Sequence, residues 1–261
     1  MTGTPLSTFT IDSLTAEIHP DKTTTSQAAA VFVADQIRAA MAARGSSRVI
    51  FATGASQYDF LDALCKTPAI DWSRVTAFHL DEYVGISADH PASFRRYLQE
   101  RLFSRLPFAA VHLLAGDAPD PAAECRRYAS LLAEAPVDIA CVGIGENGHL
   151  AFNDPPADFH TTAAVHVVDL DEACRAQQVG EGHFPSLAAV PPQALSMTVP
   201  AILAARVISC VVPDARKAEA VRCTLQGPID PACPASAMRT HAHCRLYLDS
   251  ASASLLTDSA Q

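Results

Sequence analysis

No stretch of this 261-residue chain approaches the uninterrupted apolar length of a membrane span, and the opening MTGTPLSTFTIDS has no charged region followed by an apolar core. The sequence therefore reads as a cytoplasmic protein without a membrane partner. Positive charge is scarce: 19 Lys and Arg stand against 28 Asp and Glu, for a net charge of −9. That balance argues against a basic nucleic-acid surface, so no nucleic-acid partner is expected. An anion such as phosphate would have to be held locally, by a few cationic side chains or by N–H donors at helix starts. The eight cysteines are scattered, mostly through apolar patterns, with no CxxC pair. Packed, reduced thiols are expected in place of a disulfide frame or a metal site. Internal repeats and low-complexity linkers are also missing, and with 49% hydrophobic residues the chain can bury the core of one large domain spanning 1–261.

What is present is an alternation of short apolar runs with longer amphipathic ones. Strands are expected at Phe9–Ile11, Val49–Ala52, Val75–Leu80, Val111–Leu113, Val137–Val142, Ala194–Thr198, Val207–Val212 and Arg245–Leu248. Helical patterns lie at Thr24–Ala43, Tyr58–Cys65, Pro91–Leu106, Pro121–Ala135, Pro200–Ala204 and Arg216–Gln226, with Asp120 and Pro121 forming a good helix start. A β-then-α rhythm of this kind predicts an α/β fold, a doubly wound, mostly parallel sheet flanked by helices. Residues 155–193 are the least regular and are expected to form a lid.

Four places carry chemistry. DIACVGIGENGHLAFNDP, from Asp138 to Pro155, runs from a buried strand into glycines that bracket His149 at the strand's carboxyl end, where open α/β sheets place their ligands. Gly143, Gly145 and Gly148 match a dinucleotide fingerprint, but Pro155 and Pro156 arrive too soon for the long helix that site requires. Asp154 is placed to orient the imidazole, although a histidine in a loop can equally be structural. VIFATGASQ ends a strand in Thr53, Gly54, Ala55 and Ser56, small residues whose N–H and hydroxyl groups suit an anion; a plain Ser-capped turn reads the same way. FHLDEYVG sets Asp81 and Glu82 directly after an apolar strand, where a carboxylate gains a raised pKa and can act as a general base, or serves as a solvated strand end. VVPDARKAEA places Lys217 near a helix start, useful to a bound phosphate and otherwise an ordinary surface lysine.

Together these segments resemble the glucosamine-6-phosphate deaminases (isomerising). The likeness runs from about Val49 to Leu256 through ATGAS, FHLDEYVG with HPASFRRYL, GIGENGHLAFNDP, VPPQALSMTVPAIL and VVPDARKAEAV, in the family's order and spacing. The related 6-phosphogluconolactonases share the fold and a Gly-His loop, but typically continue it as a Thr-Ala-Ser-Leu-Phe-Pro type sequence. Leu150-Ala151-Phe152-Asn153-Asp154 stands here instead.

The resemblance implies a Rossmann-like fold of the glucosamine-6-phosphate isomerase type and conversion of glucosamine 6-phosphate and water to fructose 6-phosphate and ammonia. By this likeness His149 is the ring-opening acid/base, Asp81 carries a proton from C2 to C1, and Asp154 occupies the place of the histidine-orienting carboxylate, usually Glu. Asn147 sits where members carry Asp or Asn. Thr53, Gly54, Ala55, Ser56 and Lys217 match the phosphate site, Glu82 is grouped with the substrate contacts, and His183 aligns where members commonly supply an arginine to the phosphate. No metal and no organic cofactor is implied. The partner is a small hexosamine phosphate, with a homo-oligomer left open. Lactone hydrolysis on a 6-phosphosugar acid, or a non-catalytic sugar-phosphate sensor, are the alternative readings.

Overall fold

A computed structural model describes residues 4–257 apart from 171, 181 and 183. The chain opens with β1 (Ser7–Ile11), β2 (Leu14–His19) and the long α1 (Lys22–Arg44), whose start is fixed by Asp21 accepting from the Thr24 backbone N–H. Next come β3 (Ser47–Phe51), α2 (Tyr58–Lys66), β4 (Val75–His79), β5 (Asp81–Tyr83), α3 (Phe94–Leu98), β6 (Ala110–Val111), α4 (Pro121–Ala133) and β7 (Ile139–Val142). β8 (Val165–Asp169), α5 (Glu172–Gly180), β9 (Gln193–Met197), α6 (Val199–Leu203), β10 (Val207–Val212), α7 (Ala218–Gln226) and β11 (Cys244–Asp249) complete it. No helix among the described residues is long and apolar enough to cross a membrane.

The main sheet has eight strands in the order β1-β2-β11-β10-β7-β3-β4-β6, and every pair except β1–β2 is parallel. Alternate residues feed two cores. Val49, Phe51, Ile139 and Cys141 pack with α1 and α2 on one face, while Ile50, Ala140, Val142 and Cys210 pack with α4 and α7 on the other. Burial on both faces explains why these strands read as continuous apolar runs, and it gives the doubly wound architecture expected from the sequence. β4 and β6 extend the sheet to one side of β3, and β10 and β11 to the other side of β7, so the order reverses between β3 and β7. The loops leaving those two strands diverge there and open a crevice at the strands' carboxyl ends.

Three strands escaped the sequence reading. β2, LTAEIH, alternates buried and half-buried residues, but it is short and lies close behind β1. β5 and β8 belong to a second, three-stranded antiparallel sheet in the order β5-β9-β8. β5 is only three residues long and opens on Asp81 and Glu82, which disfavour strands, so it exists because β9 pairs with it. The irregular segment 155–193 holds β8 and α5 as well as loops. The helix expected over Pro91–Leu106 begins later, at Phe94, because Ser93 caps it, and passes into a π-helical turn at Gln99–Phe103.

Candidate active site

Two turns at the crevice are shaped for an anion. After β3, Thr53–Ser56 leads through a short 3-10 turn into α2, with Gly54 at φ 102°, a conformation that strains any residue with a Cβ. Tyr97 holds this turn from outside by donating its hydroxyl to the Gly54 carbonyl at 2.8 Å. Gln57, fully buried, donates its amide to Ser56 Oγ at 3.0 Å and to the Val211 carbonyl at 3.3 Å. A Cβ on Gly143 would come within 2.9 Å of that same amide nitrogen, so Gln57 fastens the loops of β3, β7 and β10 together. After β10, Asp214 adopts φ 92° and is pinned by its N–H, which donates to both carboxylate oxygens of Asp249 at 3.2 and 3.1 Å. Lys217 follows in a 3-10 turn just ahead of α7 and is only 9% exposed. Lys217 lines the same cavity as the Thr53–Ser56 turn, so a cation and a set of N–H and hydroxyl donors share it, a combination suited to phosphate.

These turns border one cavity of about 160 Å³. Thr53, Gly54, Ala55, Ser56 and Lys217 line it, together with Asp81 and His149. Lys22, at the start of α1, and Arg216 contribute two further cations that the sequence reading did not single out. Nothing in the motifs pointed to Lys22, since only the tertiary fold brings the start of α1 to this crevice.

Asp81 arrives through the second sheet. The chain leaves β4 at Leu80 and turns at once into β5, where Asp81 pairs with Ser196 of β9. Burial, reinforced by the neighbouring Glu82, pushes the Asp81 carboxyl up to about 8. Ser196 also takes the Phe152 N–H on its hydroxyl at 3.0 Å, and Asn153 donates to the Leu150 and Met197 carbonyls, each at 2.7 Å. β9 is thus the piece that holds the histidine loop beside Asp81.

Glu82 was grouped with the substrate contacts, and the structure corrects this. Its side chain is fully buried and does not border the cavity. Its carboxylate accepts from the Tyr83, Phe94 and Arg95 N–H groups, from Ser93 Oγ at 2.7 Å and from Arg95 Nε at 3.3 Å. Burial pushes its pKa upward against those hydrogen bonds. Glu82 ties β5 to the start of α3, and its influence on the cavity is electrostatic, through Asp81.

The His149 imidazole lies flat against Gly145. A Cβ there would sit 2.2 Å from both Cε1 and Nε2 of the ring, so only glycine admits this pose. Nδ1 approaches Asp154 Oδ1 at 3.1 Å, Asn147 donates to the same oxygen at 2.9 Å, and the His149 backbone N–H donates to Asn147 Oδ1 at 3.1 Å. Burial raises the Asp154 pKa, but the histidine, Asn147 and the Cys174 thiol outweigh it and hold the carboxyl down at about 2, ionised at any working pH. Asp154 and Asn147 therefore sit behind the imidazole and do not line the cavity. His183 lies outside the described residues.

The profile of the family described as glucosamine-6-phosphate isomerases/6-phosphogluconolactonase matches residues 20–247. The chain belongs to that family. A glucosamine-6-phosphate deaminase of Exiguobacterium sp. is 41% identical over 196 residues, 75% of this chain and 76% of that enzyme. A solved monomeric glucosamine-6-phosphate deaminase superposes with a TM-score of 0.85 at 34% identity, covering 92% of this chain and 99% of that one. A 6-phosphogluconolactonase from Thermotoga maritima shares the fold, with a TM-score of 0.75 at 17% identity over 90% of this chain and 99% of its own. Where the resemblance leads one to expect a glutamate behind the histidine, Asp154 stands here, and the shorter side chain still reaches Nδ1 at 3.1 Å.

Proposed function

We propose that this protein is an isomerising deaminase of hexosamine 6-phosphates, converting glucosamine 6-phosphate and water to fructose 6-phosphate and ammonia. The observation that carries the reading is the placement of Asp81, with its carboxyl raised to about 8, in the same cavity as the Thr53–Ser56 turn and His149, whose imidazole Asp154 backs from behind. The residues 1–261 act as one sugar-phosphate domain, with 155–193 as its lid.

In this reading the phosphate rests on the Thr53–Ser56 N–H and hydroxyl groups and on Lys217, with Lys22 and Arg216 adding positive potential. His149 moves a proton between the C1 hydroxyl and the ring oxygen, opening the sugar; Asp154, kept ionised, fixes the imidazole and stabilises its cationic form. Asp81 then removes the proton from C2 as the aldehyde oxygen is protonated, giving an enolamine. It returns a proton to C1, leaving a ketimine at C2, to which water adds before ammonia departs. The steps are proton transfers and hydrolysis, which these side chains supply without a metal or organic cofactor.

Ammonia release measured across glucosamine, galactosamine and mannosamine 6-phosphates, alongside acid release from 6-phosphogluconolactone, tests the assignment. Glucosamine 6-phosphate should rank first, and acid release without ammonia would instead make the protein a lactonase.

Two expected outcomes arise here. Lys217→Ala should raise KM about 10- to 100-fold with a smaller change in kcat, as loss of one charge-assisted contact to a largely desolvated phosphate predicts. The acid limb of kcat/KM, which reports the free enzyme, should fall near pH 8, because Asp81 acts as a base only when deprotonated. Glu82→Gln removes the adjacent charge that helps hold the Asp81 proton, so that limb should move to lower pH. A limb that stays in place would separate the two carboxyls.

A further inference from the structure

Helix α5 reaches the crevice with one face. Cys174 and Gln178 are four residues apart, hence stacked on the same side of the helix, and both are buried. The Cys174 thiol hydrogen-bonds Asp154 behind the imidazole, and Gln178 borders the cavity itself. The Gln178 amide is anchored: the Tyr83 hydroxyl donates to its Oε1 at 2.5 Å. Tyr83 follows Asp81 by two residues on β5, so the two side chains share a face of that strand. The Tyr83 ring is wedged among Phe94, Phe152 and Phe184, with ring centroids 5.0 to 5.2 Å away, so its hydroxyl is a fixed donor. An amide held by its oxygen presents its two N–H donors away from that anchor.

A six-carbon sugar with its phosphate at the Thr53–Ser56 turn and C1–C2 between His149 and Asp81 leaves intervening hydroxyls to be recognised. Gln178 is the one carboxamide side chain among the described residues bordering the cavity, which Phe94, Phe152 and Asp81 also line. We infer that Gln178 is a specificity-determining residue whose Nε2 donates to a sugar hydroxyl between C2 and the phosphate, and that Tyr83 is the positioning residue that aims it. The inference rests on the deaminase reading above. It makes α5 part of the binding site: the helix inspects the carbon chain, and an epimer that turns the contacted hydroxyl away loses this donor.

The test uses the alditol of glucosamine 6-phosphate, which has the sugar hydroxyls but no C1 carbonyl and so binds without turning over, together with the 3-deoxy and 4-deoxy forms of the substrate. Calorimetry should show Gln178→Leu binding the alditol about tenfold more weakly or worse, and Tyr83→Phe weakening it by a smaller factor, with the double variant no weaker than Gln178→Leu alone. One deoxy substrate should cost the parent protein about tenfold in kcat/KM and cost Gln178→Leu almost nothing beyond its own loss, a cancellation that a purely structural role would not produce. Unchanged alditol binding in a folded Gln178→Leu protein, or deoxy penalties equal in parent and variant, overturns the inference while leaving the deaminase reading standing. A parent protein that neither binds the alditol nor releases ammonia overturns that reading, and the inference with it.

Discussion

Asp81→Asn should abolish deamination, lowering kcat by about a thousandfold or more, while making the folded protein more stable at neutral pH. Loss of rate follows from removing the group assigned to carry the C2 proton; general-base contributions alone are typically about 10²- to 10⁴-fold. The stability gain follows from linkage. The Asp81 carboxyl is raised to about 8 in the folded protein from an ordinary value of 3.8. A native state that holds this proton more tightly than the unfolded chain is favoured at low pH, and the advantage is lost as pH climbs from about 4 through about 8. Asparagine never ionises and escapes that loss. The variant's advantage should therefore be near zero at pH 4, grow with pH, and level off above pH 8 at a size on the order of a few kcal/mol. Urea unfolding of both proteins at several pH values reads this directly, and a variant less stable than the parent at pH 8 would contradict the buried, proton-retaining environment assigned to Asp81.

Gly145→Ala should be nearly as damaging as removing His149, although the new methyl group carries no chemistry. Its Cβ would stand 2.2 Å from two ring atoms of the imidazole and 2.4 Å from a third, so the ring has to swing off the backbone. Swinging it away breaks the 3.1 Å approach to Asp154, and the ring leaves the place from which it reaches the sugar's ring oxygen. The expected loss is about 10²- to 10³-fold in kcat/KM, with little change in melting temperature because the glycine lies in a loop. Gly54 offers a contrast, since no atom lies within 4 Å of a Cβ there and its requirement comes from φ 102° alone. Steady-state kinetics of Gly145→Ala beside His149→Gln checks the point; near-parental activity in the alanine variant would mean that the imidazole works from another position.

The parts of this fold legible in the sequence are those whose causes are local. Val207–Val212 reads as a strand and is one, with the same limits, because a β-branched run buried on both faces needs no distant information. Asp120 and Pro121 mark the start of α4 for a similarly local reason. β5 was not legible because Asp-Glu-Tyr carries no strand pattern of its own and its pairing depends on β9, far along the chain; β9 pairs β8 on its other side. The same division runs through the crevice. Asp81, His149, Lys217 and the Thr53–Ser56 turn stand at strand ends, where motif and geometry coincide, and the fold brings them to one cavity. Lys22, Gln57, Gln178 and Ser196 belong to the same neighbourhood through tertiary contacts that no spacing announces. Glu82 shows the opposite error: its position beside Asp81 invited a substrate role, yet its oxygens are spent on the start of α3.

The central claim, that Asp81 carries hydrogen from C2 to C1 of an opened hexosamine phosphate, is tested most directly with glucosamine 6-phosphate deuterated at C2. The account predicts ammonia and fructose 6-phosphate in equal amounts, with part of the deuterium recovered at C1 of the product, the rest exchanged into water, and neither transfer nor exchange with Asp81→Asn. Ammonia released with the deuterium still on C2, or equal transfer by Asp81→Asn, would contradict it.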